Sequence, residues 1–195
     1  MTAEEFWDGE ARAFDEQPDH GLRDPSVRNA WGELLLRLLP TAPARVADLG
    51  CGTGSLSLLL AEAGHEVTGL DISPAMVKLA REKVTGAGYI AEFSVGDAAT
   101  PPWAGGSFDV VLTRHVLWAI DNPDVAIMRW LDALAPNGRL VLIEGRWWTD
   151  AGMTAADVSK LVLRHREEVE ITVLNDAALW GGPISDERFA VVSRR

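Results

Sequence analysis

A strand-like segment followed by three closely spaced glycines is the feature that most constrains how this chain folds. The segment Arg45–Leu49 is followed by Gly50, Gly52 and Gly54. A sharp turn from a strand into a helix needs backbone angles that a Cβ disfavours, and glycine supplies them. The helix predicted from Ser55 leaves free N–H groups at its N-terminus, beside the same turn. The pattern predicts a strand, turn and helix that bind a small polar ligand.

Strand-like and helix-like segments alternate along the rest of the chain, which predicts an α/β fold. Seven strands are predicted, at 45–49, 66–70, 90–95, 108–113, 140–144, 170–174 and 188–193. Helical patterns separate most of them, so we expect a three-layer α/β/α sandwich with a mostly parallel seven-stranded sheet. Only a turn at 180–183 is predicted between the last two strands, which favours a terminal antiparallel pair.

Two helices are predicted before the first strand, at 4–14 and from Pro25 to about Leu39. They carry four aromatic residues: Phe6, Trp7, Phe14 and Trp31. These helices would close over a ligand as a lid, although a plain pair of core helices explains the pattern too. We therefore expect a single domain over 1–195, with a helical lid (1–40), a ligand-binding core (45–144) and a C-terminal helix and strand pair (145–195).

Composition excludes several classes of function. The chain has 29 acidic and 18 basic residues and a net charge of −11, whereas nucleic-acid binding depends on basic surfaces, so no nucleic-acid partner is expected. No apolar run reaches the roughly 18 residues that cross a bilayer, so no membrane partner is expected. The acidic N-terminus lacks the build of a signal peptide, which favours a cytoplasmic location. The single cysteine excludes an internal disulfide and a cysteine-based metal cluster, and no metal site is predicted.

Two acidic residues support a ligand at the carboxyl ends of the strands, where open α/β sheets bind their ligands. Asp71 follows the second predicted strand, about twenty residues after Gly50, where an acid can hold both hydroxyls of a ribose. Asp97 follows the third predicted strand. Together with the glycine turn, these acids are a stronger signal than the turn alone.

The same residues carry a resemblance to a known family. The segment DLGCGTG at 48–54 resembles motif I of the class I S-adenosylmethionine-dependent methyltransferases. The resemblance continues through 69–76, 96–98, 107–111 and 136–140, and it covers about 45–144. It implies the class I methyltransferase fold, S-adenosyl-L-methionine as cofactor and S-adenosyl-L-homocysteine as product.

The resemblance also implies a set of cofactor-binding residues: Asp48, Gly50, Cys51, Gly52, Gly54, Asp71, Ile72, Met76, Asp97, Ala98 and Arg114. Asp71 would hold the ribose, and Asp97 would accept a hydrogen bond from the adenine amino group. Ile72 and Met76 would pack on the adenine. The residues of the glycine turn would surround the methionine part, and the backbone near Arg114 would close that side.

Two alternatives remain at this point. A nicotinamide dinucleotide usually requires the spacing G-x-G-x-x-G, but here the third glycine comes one residue early and Ser55 occupies its place. An NAD(P)-dependent oxidoreductase is therefore the alternative enzyme. The other alternative is a protein that binds the cofactor without catalysis.

Candidate catalytic residues follow from the proton that a hydroxyl or amine acceptor must lose. His115 follows the fourth predicted strand on the ligand side, and its ordinary pKa near 6.5 suits a general base. A histidine packed at a helix start explains that position equally well. His20, in the polar loop of the N-terminal segment, is a weaker candidate.

The acceptor pocket is expected beyond strands four and five. Trp118, Arg146 and Trp147 are the candidate substrate-binding residues there, with core packing or a dimer contact as the alternative for the tryptophans. The chain lacks an Asn-Pro-Pro-Tyr type of motif after strand four and a long insertion after strand five. We therefore expect a small-molecule acceptor, and a monomer or homodimer remains open.

Overall fold

The computed structural model describes residues 1–194 and contains one seven-stranded sheet. Its strands are β1 (Arg45–Leu49), β2 (Glu66–Asp71), β3 (Glu92–Val95), β4 (Phe108–Arg114), β5 (Leu134–Arg146), β6 (Glu170–Val173) and β7 (Glu187–Ser193). Their order across the sheet is β3-β2-β1-β4-β5-β7-β6. Strands β1 to β5 pair in parallel, and β7 runs antiparallel to both β5 and β6. The predicted fold class is confirmed.

Helices cover both faces of the sheet. They are α1 (Ala3–Glu10), α2 (Pro18–Gly21), α3 (Pro25–Leu38), α4 (Ser55–Glu62), α5 (Pro74–Gly86), α6 (Pro123–Asp132), α7 (Ala155–Val162) and α8 (Ala177–Trp180). Apolar residues of α3 and α4 share one core cluster with one face of the sheet, and those of α6 and α7 share another with the opposite face. No helix among the described residues is long and apolar enough to cross a membrane.

The N-terminal segment differs from its predicted course. The first helix ends at Glu10 rather than at Phe14, which lies in a short 3₁₀ turn. The predicted loop at 15–21 contains the short helix α2. The Phe14 ring leaves the helical path because it stacks on the imidazole of His20, with ring centroids 4.3 Å apart.

Two connections near the end of the sheet also differ from prediction. Residues 136–138, which precede the predicted strand at 140–144, lie within the irregular start of β5, where the pairing with β4 shifts register and Asn137 has a φ of 68°. The predicted simple turn between β6 and β7 contains α8. Asp176 caps this helix by accepting a hydrogen bond from Ala178 N, and Gly181 ends it with a φ of 73°.

Candidate functional site

A cavity of about 640 Å³ opens at the carboxyl ends of the central strands. It lies where the order of the sheet reverses, because β1 connects to β2 on one side while its other neighbour is β4. Open α/β sheets bind their ligands at such switch points. Most of the predicted site residues line this cavity: Gly50, Cys51, Gly52, Asp71, Ile72, Met76, Asp97, Ala98, Arg114, His20, His115, Trp118 and Trp147.

The glycine turn forms one wall of the cavity and is fixed by β2. The amides of Gly50 and Cys51 donate to Leu70 O, over 2.7 and 3.1 Å. Gly50 has a φ of 66°, and a Cβ there would lie 2.3 Å from Cγ2 of Val116. Only glycine fits this position, because a side chain would be strained by the backbone angle and would overlap Val116.

Asp71 connects the turn to the ligand side of β2. Its Oδ2 accepts from Gly52 N over 2.8 Å and its Oδ1 from Ser73 N over 2.9 Å. Burial raises the pKa of this carboxyl, and the two backbone hydrogen bonds act in the opposite direction. A carboxylate has about four lone-pair sites, so each oxygen can accept a further hydrogen bond from a ligand in the cavity.

Two predicted cofactor residues lie behind the cavity rather than in its lining. Asp48 is buried, and its Oδ2 accepts from the Ser57 hydroxyl over 2.5 Å. Burial raises the pKa of Asp48 to about 6. Gly54 has a φ of 78° at the start of α4, and a Cβ there would lie 2.8 Å from Cβ of Ala80. Both residues therefore shape the turn from behind.

Arg146 is placed outside the predicted acceptor pocket. Its side chain is exposed and forms an ion pair with Asp150, with N and O atoms 3.2 Å apart. It does not line the cavity, although the adjacent Trp147 does. The pairing of β5 with β7 ends at Arg146, so its side chain lies at the protein surface.

His20 and His115 both line the cavity, and each has a buried ring nitrogen with no hydrogen-bond partner within residues 1–194. These atoms are Nδ1 of His20 and Nε2 of His115. Burial, and then the positive charge of Arg114, lower the pKa of both imidazoles, that of His115 well below its ordinary value. Both rings are therefore neutral at pH 7, the form that a general base needs, and the same two effects reduce their affinity for a proton.

Aromatic rings enclose His115. Its ring lies 5.1 Å from Trp147 and 6.1 Å from Trp180 between centroids, and Trp118 lies 5.3 Å from Trp147. The guanidinium of Arg188, on β7, packs over both Trp147 and Trp180. Trp118 and Trp147 thus form an aromatic wall of the cavity, which Arg188 supports from β7.

The side chain of Arg114 carries the main positive charge beside the histidines. It donates to Asp19 O and packs 5.0 Å from the Trp31 ring centroid. Asp19, His20 and His115 each offer one possible metal-ligand atom, with these atoms within 4.8 Å of one another. The charge of Arg114, which acts on both imidazoles, disfavours a divalent cation among them.

The N-terminal segment covers the cavity through Ala3, Trp7, Phe14 and His20. The carboxylate of Asp8 attaches α1 to the start of α5, because it accepts from Ala75 N over 3.0 Å and from the Ser73 hydroxyl. Helix α3 is instead a core helix, with Trp31 fully buried and donating to Leu179 O. The part of the predicted lid that lies on the cavity is therefore 3–20.

Comparisons with known proteins agree with this geometry. Residues 47–142 match the family model of a methyltransferase domain. The chain is 38% identical over 108 residues to a demethylmenaquinone methyltransferase of Thermus thermophilus, covering 54% of this chain and 49% of that protein. It is 33% identical over 143 residues to a ubiquinone biosynthesis O-methyltransferase of Xanthomonas axonopodis, covering 72% and 56%. The chain belongs to the class I S-adenosylmethionine-dependent methyltransferase family.

A solved structure shows the same fold in this family. It is a methyltransferase of Thermotoga maritima described as a possible histamine N-methyltransferase, with a TM-score of 0.73. The match covers 97% of this chain and 98% of that one at 15% identity, so it shows the fold alone. The chain spans about half the length of the two curated relatives it matches.

The methyltransferase cavity fits the cofactor that the family implies. S-adenosylmethionine carries a ribose diol and an adenine, and Asp71 and Asp97 place carboxylates on the cavity wall. At Gly52, with a φ of 55°, an added Cβ would lie 3.2 Å from Cε1 of Phe14. The Phe14 ring thus packs closely on the turn, and a side chain at Gly52 would crowd this contact between the turn and the lid.

Several residues that line the cavity were not predicted from the sequence. Further lining residues come from the segment after Trp118 and from α6: Ala119, Ile120, Asp121, Asn122, Val125, Ala126 and Arg129. Trp180 and Arg188, which support the aromatic wall, lie far along the chain from His115. The contact between Arg188 and Trp147 depends on the pairing of β5 with β7, and no local sequence pattern indicates that pairing.

Proposed function

We propose that this protein transfers the methyl group of S-adenosylmethionine to a small-molecule acceptor held between His20, His115 and the aromatic wall. The proposal is carried by one observation: the side chain of Asp71 and two neutral imidazoles, each with one buried ring nitrogen that has no hydrogen-bond partner within residues 1–194, line the same cavity. When bound, S-adenosylmethionine supplies a methyl group that its sulfonium activates. The residues of the chain then have three tasks, which are to bind the cofactor, to orient the acceptor and to receive its proton.

Cofactor binding falls to the turn and the ends of β2 and β3. Asp71 accepts from the ribose hydroxyls, and Ile72 and Met76 provide an apolar surface for the adenine. Asp97, whose Oδ1 already accepts from Ala99 N over 2.8 Å, accepts from the adenine amino group. These contacts hold the donor in place, and holding donor and acceptor close together supplies much of the catalysis in a displacement reaction.

Proton removal falls to His115, with His20 as a second base. Since Nε2 of His115 is buried and has no partner in the described part of the chain, the proton of an acceptor can satisfy it. An acceptor with a hydroxyl group meets this need and leaves the imidazole protonated. Trp118 and Trp147 would align a planar acceptor and keep water from the methyl group.

The proposed reaction also implies a class of acceptor and a location in the cell. We propose a small planar metabolite as the acceptor, in line with the names of the two relatives, a demethylmenaquinone methyltransferase and a ubiquinone biosynthesis O-methyltransferase. The net charge of −11 favours such an acceptor over a nucleic acid. We propose a cytoplasmic location for this reaction.

The test is to incubate the protein with S-adenosylmethionine carrying a radiolabelled methyl group and a panel of acceptors. The panel contains hydroxylated aromatic compounds, aromatic amines and unsaturated carboxylic acids. We expect label in one aromatic hydroxyl compound, together with stoichiometric S-adenosylhomocysteine. Binding of S-adenosylhomocysteine without transfer to any class would favour a protein that binds the cofactor without catalysis.

A further inference from the structure

Glu144 is the most deeply buried acid among the described residues, and the proposed mechanism does not use it. It lies in β5 just before Gly145, and its side chain has no exposed surface. Its Oε1 accepts two backbone hydrogen bonds, from Val116 N over 3.0 Å and from Leu117 N over 2.8 Å. Its Oε2 has no hydrogen-bond partner within 1–194.

A buried carboxyl group at this position destabilises the folded protein. Glu144 shares its face of β5 with Leu140 and Leu142, both of which are fully buried. Burial raises the pKa of Glu144 to about 8, so the group is an uncharged acid at neutral pH. A leucine would fill this space without the unpartnered oxygen, and an unpartnered buried polar atom typically destabilises a fold by about 1–3 kcal/mol.

The two hydrogen bonds of Glu144 hold a strained turn. His115 has a φ of 59°, which is uncommon for a residue with a side chain. Its own amide donates to Ile143 O over 2.8 Å. Three successive amides, those of His115, Val116 and Leu117, are therefore fixed by the end of β5.

This turn places groups on both sides of the cavity. The indole of Trp118 donates to His115 O over 2.9 Å, so the aromatic wall depends on the same backbone. On the other side, Val116 occupies the space that a Cβ at Gly50 would need. A shift of the turn would change the direction of the His115 ring and the packing beneath the glycine turn together.

We propose that Glu144 is a positioning residue for methyl transfer, whose carboxyl group holds the 115–117 turn and so directs His115 and Trp118 into the cavity. The inference rests on the proposed function only for the role of His115. The hydrogen bonds themselves can be tested without any acceptor.

Two substitutions separate the hydrogen bonds from simple packing. Glu144→Gln keeps an oxygen that can accept from both amides, whereas Glu144→Leu keeps the size and removes the acceptor. In Glu144→Leu, we expect hydrogen exchange of the Val116 and Leu117 amides, measured by NMR, to be faster by about tenfold, the scale of one lost hydrogen bond. The His115 ring should also titrate closer to its ordinary pKa, because its burial is reduced. Glu144→Gln should retain both properties of the natural protein.

Ser159→Ala is the matched control, since it removes another buried, unpartnered oxygen, on α7. It should leave both amides and the His115 titration unchanged. Unchanged exchange and an unchanged His115 titration in Glu144→Leu would overturn the proposal. So would a loss of the amide protection in Glu144→Gln equal to that in Glu144→Leu.

A second measurement needs no variant and covers the case in which Glu144→Leu fails to fold. In the natural protein, the carboxyl carbon of Glu144 and the amide protons of Val116 and Leu117 are followed by NMR as the pH rises. We expect all three signals to shift with one midpoint, and amide protons that do not follow the carboxyl would overturn the proposal. A parallel titration with S-adenosylhomocysteine tests the proposed function separately, because the amide results do not depend on cofactor binding.

Discussion

The two halves of the cavity are built in different ways. The cofactor half uses residues that are close in sequence, since Gly50, Gly52 and Asp71 all come from the ends of the adjacent strands β1 and β2. The acceptor half combines His20 from the N-terminal segment, His115 from the loop after β4, and Trp147 from beyond β5. One half is a local motif, and the other is assembled by the tertiary fold.

This difference affects what a substitution does in each half. In the cofactor half, the backbone supplies most of the geometry, and Asp71 is held by two amides of its own neighbourhood. In the acceptor half, side chains support one another, as Arg188 does for Trp147. We therefore expect changes in the first half to weaken cofactor binding and changes in the second to reduce turnover while cofactor affinity is kept.

The largest expected effect lies in the acceptor half. If His115 is the base, His115→Ala should lower turnover by about 10²-fold or more, with little change in the dissociation constant of S-adenosylhomocysteine. The measurement is steady-state kinetics with the acceptor that the panel identifies. His65→Ala is the control, because His65 precedes β2 at the opposite edge of the sheet. A decrease of only a few-fold would mean that catalysis rests on positioning the donor and the acceptor, without His115 as a base.

Asp71→Ala tests the cofactor half. Loss of the charged hydrogen bonds to a ribose should weaken S-adenosylhomocysteine binding by about 10- to 100-fold in calorimetry. Asp109→Ala removes an acid that pairs with Arg45 at the amino end of the strands, and it should leave the affinity unchanged. Equal affinities in the natural protein and Asp71→Ala would mean that the ribose assignment is wrong.

Glu144→Gln tests the buried, uncharged state of Glu144 through the pH dependence of stability. Burial raises the pKa of Glu144 from 4.5 to about 8, so in this pH window the folded protein holds a proton that the unfolded chain has lost. The natural protein should therefore lose stability relative to Glu144→Gln as the pH rises through the window, by at most about 1.4 kcal/mol per pH unit. Urea unfolding at several pH values measures this, and parallel stability curves would contradict the buried, uncharged state.

The smallest effect is expected at the lid. Asp8→Ala removes the acceptor that attaches α1 to the start of α5, and cofactor affinity should fall by up to about fivefold, the scale of one lost hydrogen bond. Limited proteolysis should also cut the first twenty residues faster. Glu10→Ala, in the same helix, is the control. An Asp8→Ala protein with unchanged affinity and proteolysis would show that this contact does not hold the lid.

The sequence predicted the local half of the site better than the assembled half. The positive φ of Gly50 and the position of Asp71 after β2 follow from spacing and backbone chemistry. Asp48 lies behind the cavity because residues in a strand alternate between faces, and its carboxylate accepts a hydrogen bond from Ser57 of α4. The fold itself was predictable, because the alternation of strands and helices is a repeated pattern rather than a single contact.

The remaining residues could not be predicted, for reasons of geometry. Arg188 reaches Trp147 because β7 pairs with β5 so that Arg188 lies opposite Gly145, and a sequence pattern does not contain that register. The role of Glu144 depends on two amides that lie 27 and 28 residues away. Phe14 lies outside its predicted helix because its ring stacks on that of His20. A tertiary contact of this kind overrides helix propensity.

A calorimetric titration of the natural protein with S-adenosylhomocysteine, in parallel with NAD, tests whether the cavity binds the proposed cofactor. We expect one S-adenosylhomocysteine per chain and no binding of NAD. We also expect added stability of about 2.7 kcal/mol at a ligand concentration 100 times the dissociation constant. Binding of NAD without binding of S-adenosylhomocysteine would contradict the assignment of Asp71 and of the cavity itself.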